Sequence, residues 1–117
     1  MNRFQLENRL LDFALNINKL TLNLKPDGFN IILKDQILRS SISVPLNYSE
    51  AHSAESKKDF LHKMKICLKE LRETKMALRL LASANQTSNG FEINGTLRES
   101  DELISIFVAS IKTAMSK

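Results

Sequence analysis

Apolar residues recur along this chain at three- and four-residue intervals, and no segment alternates with the two-residue period of a strand. Phe4, Leu6, Leu10, Phe13, Ala14, Ile17 and Leu20 make a broad first stripe. It stops at Lys25-Pro26-Asp27-Gly28, where Pro26 disfavours helical geometry in the residue before it and Asp-Gly suits a turn. The spacing predicts helix one over about residues 4–24. Helix two resumes near Phe29 and runs to about Ala51 with Pro45 inside it. A proline there lacks an amide hydrogen and crowds the carbonyl of Ser41, which costs about 3 kcal/mol or kinks a helix. A bend near Pro45 is expected, with a full break as the alternative.

Helix three has a marked start. Ser56 can cap the amide near Asp59 while Asp59 reaches back, a capping box with Asp in place of the usual Glu. From Lys57 to about Ser83, the residues Phe60, Leu61, Met64, Cys67, Leu68, Leu71, Leu78 and Ala82 supply the core side. Residues 85–95 are rich in Asn, Ser, Thr and Gly, and they read as a surface loop pinned by Phe91 and Ile93. Thr96 followed by Glu99 offers a second capping box, and Leu103, Ile106, Phe107, Ser110, Ile111 and Ala114 form the inward stripe of helix four, about 97–115. The pattern is all-α, with four helices and no internal repeat.

Helix two departs from a one-faced helix. Leu33, Ile37, Val44 and Tyr48 make one apolar arc, and Ile31, Leu38 and Ile42 make another. A helix in a solitary bundle needs one apolar face, so a second arc implies a wide core or a second subunit. Ile66, Ala77 and Leu80 repeat the hint on helix three, off its main core face. Homo-oligomerisation is the preferred reading; scattered surface apolar residues on a monomer are the alternative.

Composition changes this picture little. A chain of 117 residues with 43% hydrophobic and 26% charged residues suits one domain, 1–117, large enough to bury its own core. Three Gly and two Pro leave few tight turns. The lone Cys67 rules out an internal disulfide framework and is compatible with a reducing cytoplasm, the expected compartment. Arg3, Glu7, Arg9 and Asp12 interrupt any signal-peptide core, and no run of about eighteen apolar residues suggests a membrane partner.

Two polar stripes carry the candidate chemistry. Gln36, Arg39, Ser43, Asn47 and Glu50 share one side of helix two. If buried, they must satisfy one another or a neighbour, so a structural network is expected in which Arg39 pairs with Glu70 or Glu73 while Asn47 and Glu50 bond backbone near Pro45. A ligand or RNA site and plain solvent exposure are the alternatives. The second stripe is basic: Lys58, Lys65, Lys69, Arg72 and Arg79 on helix three, with His62 among them. Residues 57–79 hold eight Lys or Arg against three acids, Asp59, Glu70 and Glu73, a local balance of +5 when the whole chain carries +4. The positive charge therefore resides on helix three, which suits phosphate contact. A solvated charged face partly neutralised by Glu70 and Glu73 is the bland alternative. No Trp and one Tyr leave little to stack on unpaired bases, so backbone or shape recognition is favoured over base reading.

Enzyme chemistry finds little footing. His52 and His62 are not at metal-ligand spacing, and Cys67 lies on the core side, where a structural thiol is expected. Glu70 with Glu73 lacks the Glu-x-x-His partner motif of bundle metal sites, and no phosphate-cradling Gly-rich loop occurs. No cofactor, no metal and no catalytic residue is expected.

The runs Gln36-Ile37-Leu38-Arg39-Ser40-Ser41-Ile42-Ser43-Val44-Pro45-Leu46-Asn47-Tyr48-Ser49-Glu50, Ser56-Lys57-Lys58-Asp59-Phe60-Leu61 and Leu68-Lys69-Glu70-Leu71-Arg72-Glu73-Thr74 carry a resemblance. The chain resembles the four-helix-bundle proteins encoded by intervening sequences of bacterial 23S ribosomal RNA genes, to which accessory proteins of diversity-generating retroelements are similar. The resemblance implies an antiparallel up-and-down bundle, assembly into homopentamers, and association with nucleic acid without an established enzymatic activity. It also implies binding of RNA, or of a nucleic-acid enzyme, through a basic surface. Two function classes follow: an RNA-binding homo-oligomer, and a protein-interaction scaffold or accessory subunit docking an acidic partner.

Overall fold

The computed structural model describes residues 1–85 and 90–117, with side chains described from Ile93 onward in the second segment. Four helices follow in order: α1 (Arg3–Thr21), α2 (Gly28–Ala51), α3 (Lys57–Ala84) and α4 (Gly90–Met115). They form an up-and-down bundle measuring 46 × 23 × 20 Å, about the length that 28 residues of α3 span at 1.5 Å each. Each helix packs on the next and α4 closes on α1, leaving α3 diagonal to α1. Side-chain pairs fix the antiparallel sense. Asn30 at the start of α2 meets Asn85 just past α3, whereas Glu50 at the end of α2 meets Lys63 near the start of α3.

The core is a column of inward residues, including Leu10, Phe13 and Ile17 of α1, Ile37 and Val44 of α2, Cys67, Leu71 and Leu78 of α3, and Leu103 and Phe107 of α4. These are the periodic apolar positions of the chain, removed from water along one stripe per helix. Phe4, grouped with the first stripe on spacing, is instead exposed, because its direction on the helix points away from the bundle. Ala77 moves the other way, into the core, since α3 buries a wider arc against α2 than one narrow stripe.

Helix ends follow local chemistry. Asn2 caps α1 in a full capping box with Gln5, each side chain bonding the other's backbone amide at 2.9 Å. Asp27 caps α2 by accepting from Asn30 N at 2.8 Å. Ser56 Oγ accepts from Asp59 N at 3.1 Å, as the sequence predicts, but among the described hydrogen bonds Asp59 returns none to Ser56. The first helix ends at Thr21 rather than near 24, short of the region that Pro26 restricts.

Pro45 does not break α2, which is helical without interruption from Gly28 to Ala51, so the alternative of a full break falls away. Helix four begins at Gly90, not 97, so most of the expected loop is helix; residues 86–89 and the side chain of Phe91 lie outside the described residues. Ile93, Thr96 and Ser100 are buried and continue the inward stripe, and that burial outweighs the poor helix propensity of Asn94 and Gly95. Thr96 is consequently an interior helical residue rather than a cap. Glu99 faces α1, where Arg9 Nε donates to it at 3.0 Å and Arg9 Nη2 reaches Glu102 at 2.7 Å.

Candidate nucleic-acid interface

α3 positions the basic stripe. Its inward residues Met64, Cys67, Leu71, Thr74, Leu78 and Leu81 hold one side against the bundle, and at about 100° per residue Lys58, Lys65, Lys69, Arg72 and Arg79 fall together on the opposite side. All five are exposed, as are His62 and Met76 in the same row. Spacing of 58, 62, 65, 69, 72, 76 and 79 keeps the row straight along most of the helix.

The lysines divide by direction. Lys63 and Lys75, on the flanks of α3, are engaged: Lys63 Nζ with Glu50 of α2 at 2.8 Å and Lys75 Nζ with Asp101 of α4 at 2.6 Å. Among the described residues, none of the five outward cations makes an ion pair. Flanking cations tie neighbouring helices together, and outward ones leave their charge to solvent or to a ligand.

Shallow grooves run beside the row. Lys65, Lys69 and Arg72 line one together with Leu68, Met76 and the acidic Glu73. Leu68 and Arg72 also border a second, completed by Val108, Met115 and Lys112 of α4. Lys112 was not singled out in the sequence: one cation in the last turn of α4 gives no signal until packing sets it beside Arg72. Glu70 and Glu73 sit at the edge toward α2. Burial first, and the Glu73 charge second, raise the Glu70 carboxyl above its ordinary value.

The polar residues of α2 do not form one network. Arg39 pairs with Asp35 at 2.8 Å on the exposed surface, not with Glu70 or Glu73, because position 39 turns away from α3. Asn47 Nδ2 donates to Ser43 O and Ser43 Oγ, both at 2.9 Å, one turn along the same helix. The Asn47 bond to backbone near Pro45 is as expected, whereas Glu50 reaches Lys63 instead. Gln36 is exposed and makes none of the described hydrogen bonds. The buried polar link between α2 and α3 uses residues that the stripe passed over: Ser40 and Thr74, hydroxyl to hydroxyl at 2.7 Å. Both are small and occupy apolar-period positions, which is the signal that could have found them.

Cys67 is fully buried, its Sγ 3.5 Å from Val44 O, and burial pushes the thiol up to about 12. Among the described residues, no three His, Cys, Asp or Glu side chains gather as a metal site requires. No helix of the described residues is long and apolar enough to cross a membrane.

The model of the 23S rRNA-intervening sequence protein family matches residues 3–109, from the first turn of α1 to the last third of α4. The chain belongs to that family. The crystal structure of a protein of unknown function from the S23 ribosomal protein family of Bacteroides thetaiotaomicron is similar to it throughout, with a TM-score of 0.84 and 30% sequence identity. The likeness covers 96% of this chain and 99% of that one, so the four-helix unit is shared whole. No curated protein matches the chain. Membership in the 23S rRNA-intervening sequence family thus accords with the fold, and it leaves the basic face of α3 as the feature on which a function has to be argued.

Proposed function

We propose that this family member is a non-enzymatic, homo-oligomeric, cytoplasmic protein that associates with RNA by setting the outward row of α3 along phosphates. The observation that supports it is the division of the α3 cations: Lys63 and Lys75 are spent on helix-to-helix ion pairs, while Lys58, Lys65, Lys69, Arg72 and Arg79 stand in one exposed row and make no ion pair among the described residues. Along the helix Lys65, Lys69 and Arg72 lie about 4.5–6 Å apart, and Lys58 and Arg79 each lie about 10.5 Å from the nearest of them, so the row spans several phosphates of a strand. With His62 its one ring, the row contacts backbone and shape rather than base edges. Self-association, with five copies the number that the family resemblance implies, multiplies the row so that weak contacts add through avidity.

The decisive experiment is fluorescence-anisotropy binding to structured RNA, duplex DNA and a polyanion control over a salt series, beside a Lys58→Glu/Lys65→Glu/Lys69→Glu variant of unchanged oligomeric mass. Salt-sensitive, RNA-preferring binding lost in the variant is expected. Binding no tighter than to the polyanion would overturn the reading. The apolar floor that Leu68, Val108 and Met115 give the neighbouring groove would then favour the second reading, docking of an acidic amphipathic partner protein.

A further inference from the structure

After Asp59, α3 carries no acidic residue until Glu70, and after Glu102, α4 carries none. Where those two stretches run side by side, a groove of about 430 Å³ opens, lined by Leu68 and Arg72 of α3 and by Val108, Ile111, Lys112 and Met115 of α4. The ion pair of Lys75 with Asp101 sets the antiparallel register and brings Leu68 level with Val108. On α4 the lining residues share one face over two turns, about 10.5 Å from Val108 to Met115. Val108 is 42% exposed and Met115 59%, so apolar surface lies open to water between a cation on each helix.

This surface asks for an occupant that is apolar along one line and acidic on both sides of it. Neither Arg72 nor Lys112 makes an ion pair among the described residues, and no carboxylate lines the groove. Phosphates gain nothing from the aliphatic floor, and no aromatic side chain lines it on which a base could stack. A second copy of the chain has its own basic stripe to bring, and its nearest acidic group, Glu99, Asp101 and Glu102 of α4, is held by Arg9 and Lys75. Two packed helices do leave a channel into which the ridge of a third helix fits, and an amphipathic helix reads such a groove through residues three and four apart.

We propose that the α3–α4 groove seats an acidic amphipathic helix of a partner protein, and that the seated helix competes with RNA for Arg72. The apolar line of the partner covers Leu68, Val108 and Met115, while its flanking carboxylates meet Arg72 on one side and Lys112 on the other. Arg72 also stands in the outward row of α3 and lines the neighbouring groove with Lys65 and Lys69. A helix that engages it therefore withdraws one cation from the row and sets its own negative charge beside two more. The docking stands apart from the RNA reading, and only the competition rests on it. Lys112 belongs to the helix alone, and Lys58, at the far end of the row, to phosphate alone.

The test is anisotropy binding of the full chain to a labelled peptide of about four turns, with leucines at three- and four-residue steps and glutamates elsewhere, beside a scrambled peptide of the same composition. Expected is binding roughly tenfold tighter for the patterned peptide, a difference that Val108→Ser/Met115→Ser abolishes and Lys112→Glu reduces, with RNA binding unchanged in both variants. Lys58→Glu should weaken RNA and spare the peptide, and patterned peptide should displace RNA from the wild type. Should Val108→Ser/Met115→Ser lose its helical circular dichroism, Lys112→Glu, at a fully surface position, decides. Equal binding of the two peptides, or patterned binding that ignores Lys112→Glu, overturns the groove. RNA binding that falls as far as peptide binding in the groove variants also overturns it, by giving the groove to RNA. Peptide and RNA bound together overturn the competition alone, and a wild type that binds peptide but no RNA removes the RNA reading while the docking stands.

Discussion

Ser40 of α2 and Thr74 of α3 place their hydroxyls 2.7 Å apart in the buried seam between those helices. Each has a fallback acceptor in its own helix, Thr74 Oγ1 to Glu70 O at 2.8 Å and Ser40 Oγ to Ile37 O at 3.3 Å. The pair thus couples two helices without leaving a polar group stranded when one member is lost. Thr74→Val and Ser40→Ala should each destabilise the protein by about 1 kcal/mol, and the double variant by little more than either alone. Urea unfolding measures this. Additive losses would mean that the hydroxyl contact contributes nothing of its own.

The split between outward and flanking lysines makes a sharper prediction than charge reversal. Lys65→Gln or Lys69→Gln should weaken RNA binding uniformly across sequences and lower the salt slope by about one. Lys63→Gln and Lys75→Gln should leave the slope unchanged and cost at most about 1 kcal/mol of stability, as partly exposed ion pairs do. Equal effects of all four on the slope would show that binding is diffuse attraction rather than contact with the row.

His52 caps α2 at the end of the bundle, edge-on to Tyr48 at 4.6 Å and to Phe60 at 5.9 Å, with Nε2 buried and unpartnered. Burial first, and the nearby Arg3 charge second, lower its pKa below 6.5, with Glu7 opposing. The unfolded chain therefore binds a proton before the folded one does. Stability from this group is complete above pH 6.5 and is lost as pH falls through the lower folded value. His52→Phe should flatten that part of the pH–stability curve. An unchanged slope in the variant would place the acid sensitivity elsewhere.

Cys67 should behave as a core atom. Its pKa rises from 9.0 to about 12 on burial, so the contribution to stability is complete below pH 9 and declines as pH rises toward 12, where the unfolded thiol ionises and the folded one resists. Thiol reagents should modify it only at the rate at which the bundle opens. Rapid labelling of the native protein would contradict the packing of α3 against Val44.

Much of the bundle was legible in the chain. The inward stripes of α1, α2 and α3 and the Ser56 cap rest on contacts within a few residues, which sequence spacing encodes directly, whereas the Asp27-Gly28 pair read as a turn is the N-cap and first residue of α2. Basic positions of α3 were legible for the same reason, since an apolar stripe fixes where everything else on a helix must point. What escaped was decided by neighbours. Gly90–Gly95 has weak helix propensity and is helical because Ile93 is buried on the bundle. Arg39 has acidic candidates on α3 in sequence, yet it turns away from that helix and its own helix supplies Asp35 one turn back.

By itself, then, the sequence determined four amphipathic helices, their polar faces and the concentration of charge on the third, because periodicity and charge are properties of residues three or four apart. Only the tertiary structure decided which cations are engaged, where Lys112 joins the basic face, and that Ser40 and Thr74 rather than the longer polar side chains join α2 to α3. Those outcomes depend on how far each helix is rotated against its neighbour, and that rotation is set by packing the whole core at once.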